Sequence, residues 1–518
     1  MKKIIALTAS IIFYHTVFSQ TPAIQWQKSL AGTSCDYGNY VRQTSDGGYI
    51  VAGKAGSNDG DVTGNHGGYD YWVVKLYSTG ILQWQKSLGG TGYDEARSVQ
   101  QTADGGYIVA GSSQSIDGDV TGNHGSIDYW LVKLDGFGNI QWQKALGGTA
   151  NDDAYSVQQT SDGGYIVLGY SYSNDGDVTG NHGGWDYWLV KVDGTGTIQW
   201  QKTLGGTMND WAYSIEQTSD GGYIVAGSSQ SNDGDVTGHH GTASSFDYWL
   251  VKLDPAGSIQ WQKSLGGSSF DWAHSIKQTT DGGYIAAGYS SSNDGDVTGN
   301  HSYDDYWVVK LDNSGTILWQ KSFGGIANDR AYSVNQTSDG GYIIAGNSSS
   351  NDGDVTGNHG GYEYWIVKLD DNGTLLWQKS MGGTAHDFAY SVMHTSDGGY
   401  IVAGESASND GDVTGNHGAN DYWIAKLYFD SPKSINENNL LSAMYLSPNP
   451  ATTELRITNA EFKIEKVEII DVLGQKYNSA FDILNSELTI DISSLASGIY
   501  FVKVRGEKEE RVGKFVKL

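Results

Sequence analysis

The chain is poor in the residues that staple or punctuate a protein. One cysteine, Cys35, stands among 518 residues, so no internal disulfide can form and stability has to come from packing. With 5 prolines against 72 glycines, and no Gly-X-Y period, neither a Pro-rich disordered chain nor a collagen fits. Positive charge is scarce as well: Lys and Arg number 32 against 59 Asp and Glu, a net −27 with His neutral. Such a field repels phosphate backbones, which excludes nucleic acid as a partner, and is compatible with cation binding. No helical period of useful length occurs, and beyond the N-terminus no apolar run is long enough to cross a bilayer. Aromatic residues are plentiful, with 17 Trp and 33 Tyr, and supply ample surface for a packed fold.

Residues 1–19 carry Lys2 and Lys3, then an apolar stretch and small residues, and read as a secretory signal peptide. A repeat fills residues 24–428. The Trp of a Trp-Gln-Lys tripeptide recurs at 26, 84, 142, 200, 261, 319 and 377, five intervals of 58 residues and one of 61. An Asp-Gly-Gly-Tyr turn begins in register at Asp46, Asp104, Asp162, Asp220, Asp281, Asp339 and Asp397, and a Tyr-Trp pair recurs from Tyr71-Trp72 to Tyr422-Trp423. Within one copy, Ala154–Thr160, Tyr165–Gly169, Tyr187–Val192 and Ile198–Leu204 alternate as strands, separated by Gly-rich turns.

Four antiparallel strands per copy, in seven copies, predict an all-β fold: a seven-bladed β-propeller over 20–428 whose flat blades bury their faces against one another. The first copy opens on Trp-Gln-Lys and the last ends at Leu427. Ile24–Leu30 is therefore expected as the outermost strand of the seventh blade, so that the N-terminal strand closes the ring. Lys28 and its equivalents then protect the outer edge.

Residues 429–444 are polar and unpatterned and read as a linker, and 445–518 as a small second β domain with strands at Glu454–Thr458, Ile464–Ile470, Leu488–Ile492 and Gly498–Val504. Leu446-Ser447-Pro448-Asn449-Pro450, Val472-Leu473-Gly474-Gln475, the run Ile490–Tyr500 and the terminal Lys514-Phe515-Val516-Lys517-Leu518 occur in order. With these motifs the segment resembles the C-terminal sorting domain of type IX secretion substrates. Tyr445-Leu446 stands where members often have Tyr-Pro. The resemblance implies an immunoglobulin-like β-sandwich, recognition by the type IX secretion machinery, and a secreted or outer-cell-surface protein. The repeat region is similar to Asp-Gly-Gly-Tyr propeller repeats of exported bacterial proteins, which bring no established activity.

The loop between the second and third strands holds the sharpest constellation. In Asp59-Gly60-Asp61 through Asp70, oxygen side chains fall at positions 1, 3 and 5, glycine at 6 and a carboxylate at 12, as in a calcium loop. The pattern returns at Asp117, Asp119 and Asp128; at Asp175, Asp177 and Asp186; at Asp294, Asp296 and Asp305; at Asp352, Asp354 and Glu363; and at Asp410, Asp412 and Asp421. The fourth copy, Asp233 and Asp235, has an insertion that moves its last acid to Asp247. Calcium is one reading of these acids; Asx turns and a strand cap are the other. One loop His per blade, His66 and its equivalents, cannot build a tetrahedral zinc site.

A second recurring acid (Asp36, Asp94, Asp152, Asp210, Asp271, Asp329, Asp387) precedes the first strand, either as an acidic ring at one mouth or as a turn-stabilising hydrogen bond. Catalysis needs one unlike constellation, and the copies deviate only at Trp211, Trp272, His274, Arg330, Phe388 and the Thr242–Phe246 insertion beside His239 and His240. No nucleophile–base pair, paired acids or phosphate loop appears, so no catalytic residue is assigned. The sequence thus points to a secreted, non-catalytic propeller that binds or adheres to an extracellular glycan or protein. A polysaccharide hydrolase or lyase and a structural surface protein are the alternatives.

Overall fold

The computed structural model describes residues 21–428 and, within 445–518, all but 459–465, 472–475, 478–480, 485–486 and 506–509. The expected signal peptide (1–19) and linker (429–444) lie outside the described residues. Two compact units emerge, 1–429 and 430–518. Every regular element among the described residues is a strand.

In the first unit β1 (Ala23–Leu30) is followed by β2 (Asp36–Gln43), β3 (Tyr49–Ala55), β4 (Asp70–Leu76) and β5 (Leu82–Leu88), and β2 to β5 pair in sequence order as one antiparallel sheet. Five further sheets of the same order follow. The seventh contains Asp387–His394, Tyr400–Ser406 and Asp421–Tyr428, with β1 paired antiparallel to the last of these from Ala23↔Tyr428 to Leu30↔Tyr422.

The repeat residues explain the sheet. The Asp-Gly-Gly turn reverses β2 into β3: Gly47 sits at φ +78°, and the Asp46 carboxylate accepts the Gly48 amide at 2.9 Å and the Thr44 hydroxyl at 2.5 Å. Lys75 of β4, nearly buried, reaches Asp46 at 2.9 Å. All seven sheets carry this ion pair, from Lys75–Asp46 to Lys426–Asp397.

The expected first strand starts too late. It begins at the recurring acid itself, as in Asp152–Gln159, and does not alternate strictly. Register shifts between Ala154 and Ser156, leaving Tyr155 as the extra residue of a β-bulge, and the same shift occurs in the first strand of all seven sheets.

Each buried core belongs to two sheets. Ile50, Tyr71 and Val73 of the first pack with Ala96, Val109 and Trp130 of the second. Val41, Val51 and Trp72 of the first pack with Ile401, Tyr422 and Ile424 of the seventh. Across every junction a buried tyrosine hydroxyl donates to the backbone oxygen of the next sheet's tryptophan, at 2.8–3.0 Å: Tyr71 to Trp130, Tyr129 to Trp188, Tyr187 to Trp249, Tyr248 to Trp307, Tyr306 to Trp365, Tyr364 to Trp423, and Tyr422 to Trp72. The two rings also touch, with centroids 4.4–4.6 Å apart.

The second unit has two four-stranded sheets. One runs Tyr445–Ser447, Glu454–Thr458, Glu487–Asp491, Phe481–Leu484; the other Lys476–Tyr477, Lys466–Asp471, Gly498–Arg505, Glu510–Lys517. Both contribute to one core that includes Leu455, Ile457, Ile490, Val502, Val504 and Phe515.

Replacing Tyr248 by Phe removes one buried junction hydrogen bond and should cost about 1 kcal/mol in urea unfolding. Tyr422→Phe should cost the same. A silent Tyr422→Phe would mean that the first and seventh sheets do not hold each other.

Candidate functional site

The loop acids take up hydrogen bonds from the protein. Asp59 accepts the amide and hydroxyl of Thr33, both at 2.8 Å, and Asp61 the amide of Ala31 at 3.3 Å. Asp70 accepts the amide of His66 at 3.0 Å and contacts its ring Nδ1 at 2.7 Å. Later copies repeat this. Asp117, Asp175 and Asp410 hold Thr91, Thr149 and Thr384, and Asp294 and Asp352 hold the amides of Ser268 and Ile326. Asp119, Asp177, Asp296 and Asp354 face the amides of Gly89, Gly147, Gly266 and Gly324, while the backbone amide of Asp412 donates to Gly382. Asp128, Asp186, Asp305, Glu363 and Asp421 each hold their loop His, and so does Asp247 despite the insertion. Among the described residues no group of three or more His, Cys, Asp or Glu side chains is arranged to hold a metal ion.

The second set of acids forms no exposed ring. Asp152 and its equivalents are fully buried; Asp152 accepts the Gly148 amide at 2.8 Å and the hydroxyls of Ser171 and Ser173. Each lies near the buried loop acid of the preceding sheet, as Asp94 lies near Asp70. Burial is the main cause that lifts these carboxyls, and the neighbouring acid adds to it: Asp70, Asp152, Asp186, Asp271 and Asp329 are pushed up to about 6, Asp210 and Glu363 to about 7.

The hairpin acids move the other way. Burial would raise Asp46 and Asp104, but hydroxyl and lysine hydrogen bonds outweigh it and bring them down to about 2.

The copies differ where their first strands face a shared cavity. A cavity of about 720 Å³ is lined by the first strands of all seven sheets. The bulged residue of each strand forms a collar in it: Asn39, Arg97, Tyr155, Tyr213, His274, Tyr332 and Tyr390. The five rings touch in succession. Tyr155 to Tyr213 is 5.0 Å between centroids, Tyr213 to His274 4.6 Å, His274 to Tyr332 4.9 Å and Tyr332 to Tyr390 5.5 Å.

On the facing wall the Arg97 guanidinium lies 4.1 Å over Tyr155 and pairs with Glu95 at 2.9 Å. Glu95 also holds Lys54 at 3.2 Å, and the Lys54 ammonium sits 4.7–5.5 Å from the rings of Tyr37, Tyr69 and Tyr93. Glu405, buried, accepts the Tyr390 hydroxyl at 3.0 Å, and burial pushes it up to about 7.

Of the deviations noted in the sequence, His274 reaches this chamber. Burial, aided by the Arg330 cation, pushes it down to about 3, so its ring is neutral. Arg330 is taken by Asp304 at 2.7 Å. The insertion delivers Phe246 onto Trp211 (4.8 Å, stacked) and Trp272 (4.7 Å), and Phe388 packs on Tyr362. His239 contacts the Thr242 carbonyl within the insertion. Tyr40, Arg42, Lys54, Glu95, Arg97 and Lys277 were not singled out by the sequence, although comparing the seven copies column by column marks the first-strand positions among them.

Residues 444–518 match the secretion system C-terminal sorting domain family. That segment is a type IX secretion sorting domain; the protein is a substrate of that machinery and is exported, to the medium or the outer cell surface. Over 252 residues the chain is 26% identical to the regulatory protein FlaEY of Caulobacter vibrioides, an alignment covering 45% of this chain and 26% of the relative. The match thus spans about a quarter of that curated relative's length. Similar solved structures include the Pan2 WD40 domain of Neurospora crassa (TM-score 0.43, 11% identity, 77% of this chain and 95% of that one). Sqt1 of Chaetomium thermophilum (0.39, 12%, 77% and 88%) and the plexin A4 extracellular region (0.48, 7%, 94% and 61%) are others. The repeated four-stranded sheets fit a β-propeller.

Thermal melts test both sets of acids. The raised carboxyls hold protons in the folded state that they release when unfolded, since the ordinary value is 3.8 for Asp. Their contribution is complete below about pH 4 and is lost as pH rises through 6 to 7. The lowered hairpin acids contribute above 3.8 and fail only as pH falls toward 2. The midpoint should therefore be highest near pH 4 to 5, and a maximum at pH 7 or above would refute the assignment. Asp59, Asp61 and most of their equivalents already accept protein donors, while one oxygen of Asp70, Asp128, Asp186, Asp305, Glu363 and Asp421 is buried without a partner among the described residues. With no group of three or more such side chains arranged for a metal among the described residues, chelator and millimolar calcium should leave the midpoint unshifted. A calcium-dependent rise of several degrees would instead favour the cation reading of these loops.

Proposed function

We propose that residues 21–428 form a closed seven-bladed propeller, with β1 completing the seventh blade, that acts as a non-catalytic binding protein outside the cell. The ligand sits in the axial chamber, and 445–518, an immunoglobulin-like sandwich, directs export. One observation carries the reading. Sheets that repeat their turns, ion pairs and junctions nearly residue for residue differ at the bulged positions that line one cavity, as a binding site requires and a purely structural array does not. The cavity volume lies within the roughly 300–1,000 Å³ of small-molecule sites, and its wall mixes aromatic faces with a few fixed polar groups. Two features favour binding over hydrolysis: Arg330 is committed to Asp304, and His274, held neutral, is set among tyrosine rings rather than beside a carboxylate.

The purified secreted protein should give saturable binding on glycan and peptide arrays without turnover. Tyr155→Ala combined with Tyr213→Ala should weaken the signal at least tenfold while the far-UV spectrum and thermal midpoint stay close to wild type. Retention of full binding by that variant would move the ligand to the outer loops, and release of product from any arrayed glycan would overturn the non-catalytic reading.

A further inference from the structure

Along the chamber, three residues past the collar, each first strand carries a second inward residue, and here the side chains tie neighbouring sheets together. Gln100 accepts the backbone amide of Gln159 at 2.6 Å, Gln158 that of Gln217 at 2.7 Å and Glu216 that of Gln278 at 2.8 Å. The Met393 sulfur receives the amide of Gln43, and the Asn335 amide donates to the Val392 carbonyl at 2.7 Å. Two copies break the tie. Arg42 and Lys277 stand at this position, and neither side chain can accept a backbone amide.

The residue between collar and tie is Ser in six copies, and several of these hydroxyls receive the next sheet's amide: Ser98 from Val157, Ser214 from Ile276 and Ser391 from Val41. In the first sheet it is Tyr40, which forgoes that bond and takes one from Arg42 at 2.7 Å. Burial, with a smaller push from the Glu216 carboxylate, would raise the Tyr40 phenol, but the Arg42 and Lys277 cations outweigh both and hold the group below its ordinary value. The two cations, from the first and fifth sheets, line the same chamber as this phenol.

Elsewhere in the chamber positive charge is matched. Lys54 and Arg97 share Glu95, whereas Arg42 and Lys277 have no ion-pair partner among the described residues. Two partly buried, unpaired cations in a chain of net charge −27 have been placed where each costs a junction hydrogen bond.

We propose, resting on the binding reading above, that Arg42, Lys277 and the Tyr40 hydroxyl hold the anionic group of an acidic saccharide whose ring lies against the tyrosine collar. Guanidinium, ammonium and phenol donors suit a carboxylate or a sulfate ester, and the tyrosine faces suit the C–H face of a pyranose. The chamber's volume selects one or two sugar units over a polymer.

The test is calorimetric titration of the full secreted chain with glucuronate, galacturonate, glucose 6-sulfate, glucose, inorganic sulfate and benzoate. The paired variant is Arg42→Gln with Lys277→Gln, which installs the residue other copies use as the tie and should keep or raise the thermal midpoint. At least one acidic sugar should bind ten or more times tighter than glucose, and the variant should erase that preference. Glucose binding as tightly as every acidic sugar, or an unchanged preference in the variant, would overturn the anion site and leave the chamber reading standing. Sulfate or benzoate binding as tightly as the best sugar would overturn the saccharide assignment. If no ligand in this set binds and the arrays find no chamber-dependent ligand either, both readings fall together.

Discussion

A lone four-stranded sheet of this kind exposes two apolar faces, and what rescues it is the contact between a tyrosine on one third strand and a tryptophan on the next. The hydroxyl satisfies a backbone carbonyl inside the junction while the two rings fill the space beside it. Because the pair straddles sheets, each sheet leans on its neighbour, and the seventh packs on the first. The Tyr422–Trp72 pair and the β1 pairing do this without a covalent tie, consistent with a chain that has one cysteine.

That dependence limits where the copies can differ. Turn residues answer to the hairpin, the lysine–aspartate pair to the turn, and Tyr-Trp to the junction. The β-bulge in each first strand frees one residue from the ladder and turns it into the chamber, so variation there leaves the pairing intact. The ties one level along are less free. Replacing Gln by Arg42 or Lys277 gives up an acceptor to the adjoining sheet, and such departures from an otherwise kept pattern mark where stability yields to another demand.

The repeat, its four strands, the hairpin turns and the phase that sets Ile24–Leu30 beside the last strand were legible because they rest on residues shared by all copies. The chamber was not, for the same reason: the shared residues outline the blades, while Asn39, Arg97, Tyr155 and His274 occupy one column and look like noise. The bulge hid them further, since a strict period of two puts Tyr155 on the wrong side of its strand. The start of the first strand was missed because Asp152 reads as a turn former. Its burial depends on Ser171 and Ser173, which are distant in the sequence and supply its donors. For the loop acids, spacing specifies only which oxygens lie near one another. It does not reveal that Thr33 and Ala31, contributed by another segment, provide donors for them.

The same consideration changes what the net charge says. Each full repeat carries recurring acids with a structural duty, as Asp94, Asp104, Asp117, Asp119 and Asp128 do in the second sheet, yet few recurring lysines, of which Lys133 pairs and Lys144 lies on the outer strand. Repeating such a unit seven times builds a large negative total without any partner having asked for it. Charge summed over the chain therefore reports the hydrogen-bonding style of the repeat. The charges that depart from it are few, and those that line the chamber are of both signs: Arg42, Lys54, Arg97 and Lys277 with Glu95, Glu216 and Glu405.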